Sequence, residues 1–386
     1  MFNFDEKIDR KNTNCVKWDM MRELYYDHQE MLPFWVADMD IAVPKAITEA
    51  IIKRAGHAVY GYELVNDDYY QAIISWLKRR HGVSIDKEDI VFSPGIVTGL
   101  YTAVAAFSKV GDHIVVQKPV YYPFFNAVND QKRVLVSNNL KRVDNHYEID
   151  FVDLEEKLSK DNVTMMIFCS PHNPVGRVWR KEEISKVAEL CLKHNVVLVS
   201  DEIHSDIVFN GHVHHSLLNE RTIDDILICL NAPSKTFNIA GLYSGYAIIR
   251  NQEKREAYNA VKTTWHQTSI NPFSCAATIA AYNECEAWND ELNVYLYENY
   301  LYFKKNVEQN CPKLKVLDLE GTYLVLLDYR ELGISADEMQ KRLTQEAHVA
   351  LQRGEQFCVE GHVRVNLGTR RENVIALVDR LTTVFK

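Results

Sequence analysis

The sequence predicts a large, doubly wound α/β domain with a mostly parallel sheet, joined to a smaller α+β domain. Three observations predict it. Short, continuous apolar runs recur through the middle of the chain, as in strands buried on both faces. Amphipathic helical stretches lie between several of them. After about residue 286 the alternation gives way to one long helix followed by short strands and helices.

The apolar runs are Asp89–Phe92, His113–Gln117, Arg133–Val136, Thr164–Cys169, Val196–Val199, Ile226–Leu230 and Tyr246–Ile249. Between them, Ile184, Val187, Ala188 and Cys191 fall at i, i+3, i+4 and i+7 in Glu182–His194, the spacing of a helix face packed on a sheet. Leu100–Phe107 reads as another helix. This places the large domain at residues 48–285. Beyond it, Trp288–Gln309 reads as one helix with Leu292, Tyr295, Leu296, Asn299 and Phe303 on a face. A strand (Thr322–Leu327), a helix (Ala336–Glu346), a strand (His362–Asn366) and a last helix (Arg371–Phe385) follow. Residues 1–47 lack periodicity and are expected to pack against this part, so 1–47 plus 286–386 form the small domain.

Composition narrows the function classes. The chain has 386 residues, 47% of them hydrophobic, enough for one large core or two moderate ones. Net charge is -9 and no Lys/Arg cluster stands out, so no nucleic-acid partner is expected. No apolar run approaches the ~18 residues of a membrane span. The segment from Met1 to Lys7 is polar and charged, without the apolar core of a secretory signal. Eight cysteines are scattered with no C-x-x-C pair, which reads as free thiols in a reducing cytoplasm.

Ligands of an open parallel sheet bind outside the carboxyl ends of its strands. Four groups stand at such ends. Lys235, in Asn231–Leu242, follows the run ending at Leu230; desolvation there would make its amine nucleophilic, although a plain loop lysine is the alternative. Ser93–Leu100 is a small-residue turn opening a helix, which suits a phosphate or merely a strand–helix turn. Asn173, in Ser170–Arg177, is held between prolines, either pre-aimed or simply turn-forming. Asp201 ends an apolar run, where a carboxylate needs a partner unless it caps the next helix.

Together these are the parts that an aromatic aldehyde cofactor with a phosphate requires. The chain resembles fold-type I pyridoxal-phosphate enzymes of the aspartate aminotransferase superfamily, in particular the cystathionine β-lyase / C–S lyase (cystalysin-like) branch. The likeness rests on Trp35–Asp40, Tyr60–Tyr62, Pro119–Phe125, Cys169–Trp179, Ser200–His204, Ala232–Ala240 and Glu320–Tyr323. It spans essentially the whole chain. It implies the fold-type I transferase fold, with pyridoxal 5'-phosphate bound to Lys235, which also serves as the general base. It further implies that Asp201 pairs with the pyridine nitrogen, that Asn173 donates to the phenolic oxygen and that Tyr121 stacks on the ring. Amides near Ile96 and Val97, with Ser234, would hold the phosphate. Tyr62 would reach the phosphate of a neighbouring subunit in a homodimer. Arg364 would clamp the substrate carboxylate, with Ala37, Asn173 and Tyr121 around the substrate. No metal is implied.

The implied reaction is β-elimination: L-cystathionine to homocysteine, pyruvate and ammonia, or cysteine to hydrogen sulfide, pyruvate and ammonia. An aminotransferase of the same superfamily is the alternative, differing in where one proton goes. A regulatory, partner-binding protein on the same fold is a further one. Two departures from the family pattern stand out. Gly241–Gly245 lacks the phosphate-binding arginine of many superfamily aminotransferases, and Glu355–Gly361 is poorer in glycine than C–S lyases often are. His212–His215, after the turn signal Asn210-Gly211, reads as an exposed loop in preference to a metal cluster. The tyrosines between 295 and 302 read as helix packing, and Trp35 and Tyr323 as pocket or core.

Overall fold

The computed structural model describes residues 2–25, 30–209 and 211–386. Seven strands form the main sheet: β1 Ile90–Ser93, β2 His113–Lys118, β3 Val134–Asn139, β4 Val163–Cys169, β5 Val197–Asp201, β6 Leu227–Asn231 and β7 Gly245–Ile248. Their order is β1-β7-β6-β5-β4-β2-β3. β2 pairs in parallel with β3 and β4, and β5 with β4 and β6. β7 runs antiparallel between β1 and β6. Its apolar run resembles the others because a strand buried on both faces reads the same in either direction.

Side-chain alternation explains why these runs are strands. On β4, Met165 and Ile167 enter one apolar layer and Met166 and Phe168 the other, all buried. Helices α1 Lys45–Gly56, α2 Asp67–His81, α3 Ile96–Phe107, α4 Lys181–Lys193, α5 Gln252–Thr264 and α6 Pro272–Glu284 are followed by α7 Glu286–Asn310 and α8 Arg371–Phe385. Leu100 and Val104 of α3 and Tyr258 of α5 complete the first layer. Trp76 of α2 and Val187 of α4 join the second, which continues into the C-terminal part of the chain. The bounds of α2 are written locally. Asn66 accepts the Tyr69 amide at 3.1 Å, and Gly82 closes the far end at φ +66°.

The second sheet is antiparallel, with order β8-β9-β11-β10: β8 Lys315–Val316, β9 Leu324–Asp328, β10 Gln352–Arg353, β11 His362–Asn366. The N-terminal segment is sewn to this part of the chain. Leu32–Pro33 pairs in parallel with Val349–Ala350, and the Asn366 amide donates to the Phe34 carbonyl at 2.9 Å. The Phe4 ring packs against Trp288 and Tyr295.

Several elements differ from their sequence-based bounds. The helix expected from Leu100 begins at Ile96, directly after Gly95. The strand expected from Thr322 begins at Leu324, because Thr322 has φ +67° and its Oγ1 accepts the Leu324 amide. The helix from Ala336 widens into a π turn over Arg342–Glu346. His212–His215 is not an exposed loop throughout. His214 is buried and meets Glu202 Oε2 at 3.1 Å, because that interior carboxylate needs a partner. Asn210 of the expected turn lies outside the described residues; Gly211 has φ +86°. All eight cysteines are free thiols. Among the described residues no helix is long and apolar enough to cross a membrane.

Candidate active site

Six strands of the main sheet point one way, so the carboxyl ends of β1, β4, β5 and β6 share an edge. The reversed β7 brings its amino end to the same edge, with Gly245 opposite Ser93. A cavity of about 320 Å³ opens there. Ala37, Ile96, Val97, Tyr121, Asn173, Asp201, Ser234 and Lys235 all line it. Arg364 stands in the adjoining wall, and its Nη1 donates to Asn173 Oδ1 at 3.1 Å. Tyr62 does not join the cavity; its side chain is fully exposed.

Lys235 sits in a tight turn after β6, closed by Phe237 N–H to the Pro233 carbonyl and Ile239 N–H to the Ser234 carbonyl, each 3.0 Å. Its Nζ donates to the Ala37 carbonyl at 2.5 Å, an acceptor shared with the Tyr323 hydroxyl at 3.0 Å. The segment carrying Ala37 is fixed from two sides. Asn238 Nδ2 donates to the Met39 and Ile41 carbonyls, both at 2.9 Å. Arg10 and the fully buried Lys17 pair with Asp40 at 2.7 and 2.6 Å. Burial pushes the Lys235 amine down to about 8; Asp38 opposes the shift, and Arg364 adds to it. A depressed amine is a nucleophile and a base near neutral pH.

Asp201 closes β5 with its carboxylate in the cavity. Burial pushes it up to about 7, against one hydrogen bond from the Ile203 amide at 3.1 Å. No ion pair satisfies it among the described residues, so it is suited to a ligand's cation.

The opposite end of the cavity suits an anion. The first amides of α3 have no intrahelical acceptors, and the helix dipole adds positive potential. Ser234 lies beside them, and Ser244 Oγ is buried with no hydrogen-bond partner among the described residues. Gly245 makes this end possible: a Cβ there would stand 3.0 Å from Gly95 Cα. Its lack of a side chain lets β7 close against the α3 turn.

Arg364, on β11, is buried, and no carboxylate pairs with it among the described residues. It donates to Asn173, to the Trp35 carbonyl at 2.9 Å and to Gln352 Oε1. Burial lowers it to about 10, so it stays cationic. The Phe357 ring lies 4.6 Å from the guanidinium. The glycine-poor segment therefore forms a 3₁₀ turn, Gly354–Phe357, that covers Arg364 with an aromatic face.

Some cavity residues lay outside the sequence-based set. Tyr243 and Ser244 stand where the arginine is missing, so the departure itself marked them. His204 lies within the quoted Ser200–His204 run but carried no role; it is buried in the cavity wall with its ring edge-on to Tyr323. Phe357 lies within the glycine-poor segment Glu355–Gly361 but carried no role, and Gln352 gave no signal, because only the fold of the second sheet brings them to Arg364.

The pattern of the family described as aminotransferase class I and II matches residues 30–381. Cystathionine beta-lyase PatB of Bacillus subtilis (strain 168) is 41% identical over 369 residues, covering 95% of each chain. Cystalysin of Treponema denticola, solved with a pyridoxal 5'-phosphate cofactor, superposes with TM-score 0.97 at 33% identity, covering 100% of this chain and 98% of its own. The C-S lyase of Staphylococcus hominis, solved bound to pyridoxal phosphate with the inhibitor L-cycloserine, superposes with TM-score 0.94 at 33% identity, again covering 100% and 98%.

Proposed function

The chain belongs to the aminotransferase class I and II family, and from that premise we propose that it is a pyridoxal-phosphate-dependent carbon–sulfur lyase. Its substrates are amino acids with sulfur on Cβ, L-cystathionine first and cysteine next. One observation carries the reading. A single cavity holds a depressed amine, Lys235, and a buried carboxylate, Asp201, without an ion-pair partner among the described residues.

The residues present fit the cofactor. Lys235 would hold its aldehyde carbon, Asp201 its ring nitrogen, Asn173 Nδ2 its phenolic oxygen and Tyr121 its ring face. The α3 amides at Ile96 and Val97, with Ser234 and Ser244 Oγ, would hold its phosphate. When bound, pyridoxal phosphate supplies an electron sink for the pair left at Cα. The chain's own groups do the rest. Arg364 clamps the α-carboxylate with a planar fork. Lys235, with its amine free, would take the Cα proton. Asp201 would keep the ring nitrogen protonated. The Cβ–S bond breaks with its pair on sulfur, and Lys235 returns the proton to that thiolate. The unsaturated amine that remains takes up water and gives pyruvate and ammonia.

The test is incubation with cystathionine and no added keto acid. Homocysteine and pyruvate should appear in equal amounts. Turnover that requires a keto acid would make the protein an aminotransferase.

We also read the chain as a cytoplasmic homodimer in which Tyr62 reaches the partner's phosphate site, with domains at 48–285 and at 1–47 plus 286–386. Val59, Tyr60, Tyr62 and Leu64 support the dimer, for they are exposed in one short stretch. Sedimentation as a monomer at assay concentration would end that reading.

A further inference from the structure

We infer that Asp206 is a positioning residue for Lys235, acting through Thr236 to fix the turn that aims the amine into the cavity. The inference rests on Lys235 being the cofactor-bearing residue. Asp206 lies five residues beyond Asp201. The turn after β5 folds back through Ser205 N–H to the Glu202 carbonyl and Ile207 N–H to the His204 carbonyl, both 3.0 Å. This carries Asp206 underneath the cavity wall, where it is buried.

Three side chains meet its carboxylate. Trp76 Nε1 donates at 3.1 and 3.2 Å, Thr236 Oγ1 donates at 2.8 Å, and His81 Nε2 lies at 2.8 Å. Its main-chain carbonyl accepts the amides of Asn289 and Asn293 at 3.2 and 2.8 Å. The loops after β5 and β6 are thereby locked to α2 and α7. Arg80 also acts on Asp206 through its charge, and the His214 ring stands edge-on to His81 at 5.3 Å.

Thr236 is fully buried and adjoins Lys235. Its neighbour Phe237 packs on Trp76 at 5.5 Å, so the turn is held by one polar and one apolar anchor. The apolar anchor would suffice for packing α2 on the turn. Burying an ionised carboxylate is unfavourable before its partners are counted, and well-packed apolar residues often replace such groups without loss. What a carboxylate adds is a directional, charge-assisted bond to the Thr236 hydroxyl. That bond sets the rotation of the turn, and a misplacement of ~1 Å at a reacting group lowers rates by ~10²-fold.

Thr236→Val removes the hydroxyl and keeps the shape; Thr236→Ser restores the hydroxyl. Both are compared with wild type as pyridoxal-phosphate-loaded protein, by kcat and KM, by pH titration of the visible absorbance band and by thermal midpoint. In Thr236→Val, kcat per bound cofactor should fall ~10–100-fold with KM nearly unchanged. The band's titration midpoint should move, and Thr236→Ser should recover both. A valine variant with wild-type kcat and wild-type band titration overturns the inference, as does activity lost only in proportion to lost cofactor or fold. A wild-type protein that forms no such band instead defeats the assignment of Lys235. Asp206→Asn, read by the same titration, gives a second route that leaves Thr236 intact.

Discussion

The two ends of the turn after β5 carry carboxylates in opposite electrostatic states. Asp201 and Asp206 are each 4% exposed. Burial pushes Asp201 up to about 7, and one amide bond does not offset it. Burial acts on Asp206 as well, yet His81, Thr236 and Arg80 outweigh it and hold the group below the usual carboxylate range. Equal burial therefore does not decide charge; partners do. The Asp206 end is completed by protein, whereas the Asp201 end has no ion-pair partner among the described residues. The buried cations divide the same way. Lys17 meets Asp40 at 2.6 Å, while Lys235 and Arg364 donate to carbonyl and amide oxygens and keep their reach into the cavity.

The largest test of this contrast is Lys235→Ala. It removes the tether and the base together, so turnover should fall by at least ~10²–10⁴-fold, measured as pyruvate release. The visible cofactor band should be lost while the thermal midpoint barely moves. Retained lyase activity would place the chemistry elsewhere. Asp206→Ala should do the reverse to the fold. Stripping one partner from a closed buried network should cost ~3–5 kcal/mol in urea unfolding. A loss under ~1 kcal/mol, the scale of a surface pair, would show that the hub is not closed by protein. Arg364→Lys keeps the charge but loses the planar fork, and kcat/KM should fall ~10–100-fold, mainly through KM. An unchanged KM would mean the carboxylate is held elsewhere.

Much of the cavity edge was legible because it is local. Lys235, Asp201, Asn173 and the turn before α3 each end an apolar run, and parallel strands bring such ends together without further information. The reversed direction of β7 was not legible, since burial on both faces erases the alternation that would mark it. The Asp206 hub was hidden for another reason. Trp76 and His81 of α2, Thr236 and Asn289 come from three separate stretches, and a buried Asp in a polar turn looks like a cap. His214 was misjudged in the same way, because the carboxylate that draws it inward, Glu202, lies on another loop. Phe357 over Arg364 depends on how two short segments of the second sheet meet, which no periodicity records.

The smallest and most discriminating test concerns the sign of a pH effect at Asp201. Its folded pKa, about 7, lies above the ~3.9 of an unfolded aspartate. Between those values the cofactor-free folded protein keeps a proton that the unfolded chain has released. Stability from this group is therefore full at low pH and declines as pH rises toward 7. His172, held down to about 4 by burial, acts in the opposite direction over much of the same window. Wild type must therefore be set against Asp201→Asn, in which His172 contributes equally. Relative to wild type, the asparagine variant should gain stability with rising pH, by at most ~1.4 kcal/mol per unit, and level off above neutrality. Loading wild type with pyridoxal phosphate should remove the Asp201 contribution and leave that of His172, because a ring cation would keep Asp201 ionised throughout. Parallel pH profiles for the two cofactor-free proteins would mean that the protein already satisfies Asp201, and the contrast with Asp206 would collapse.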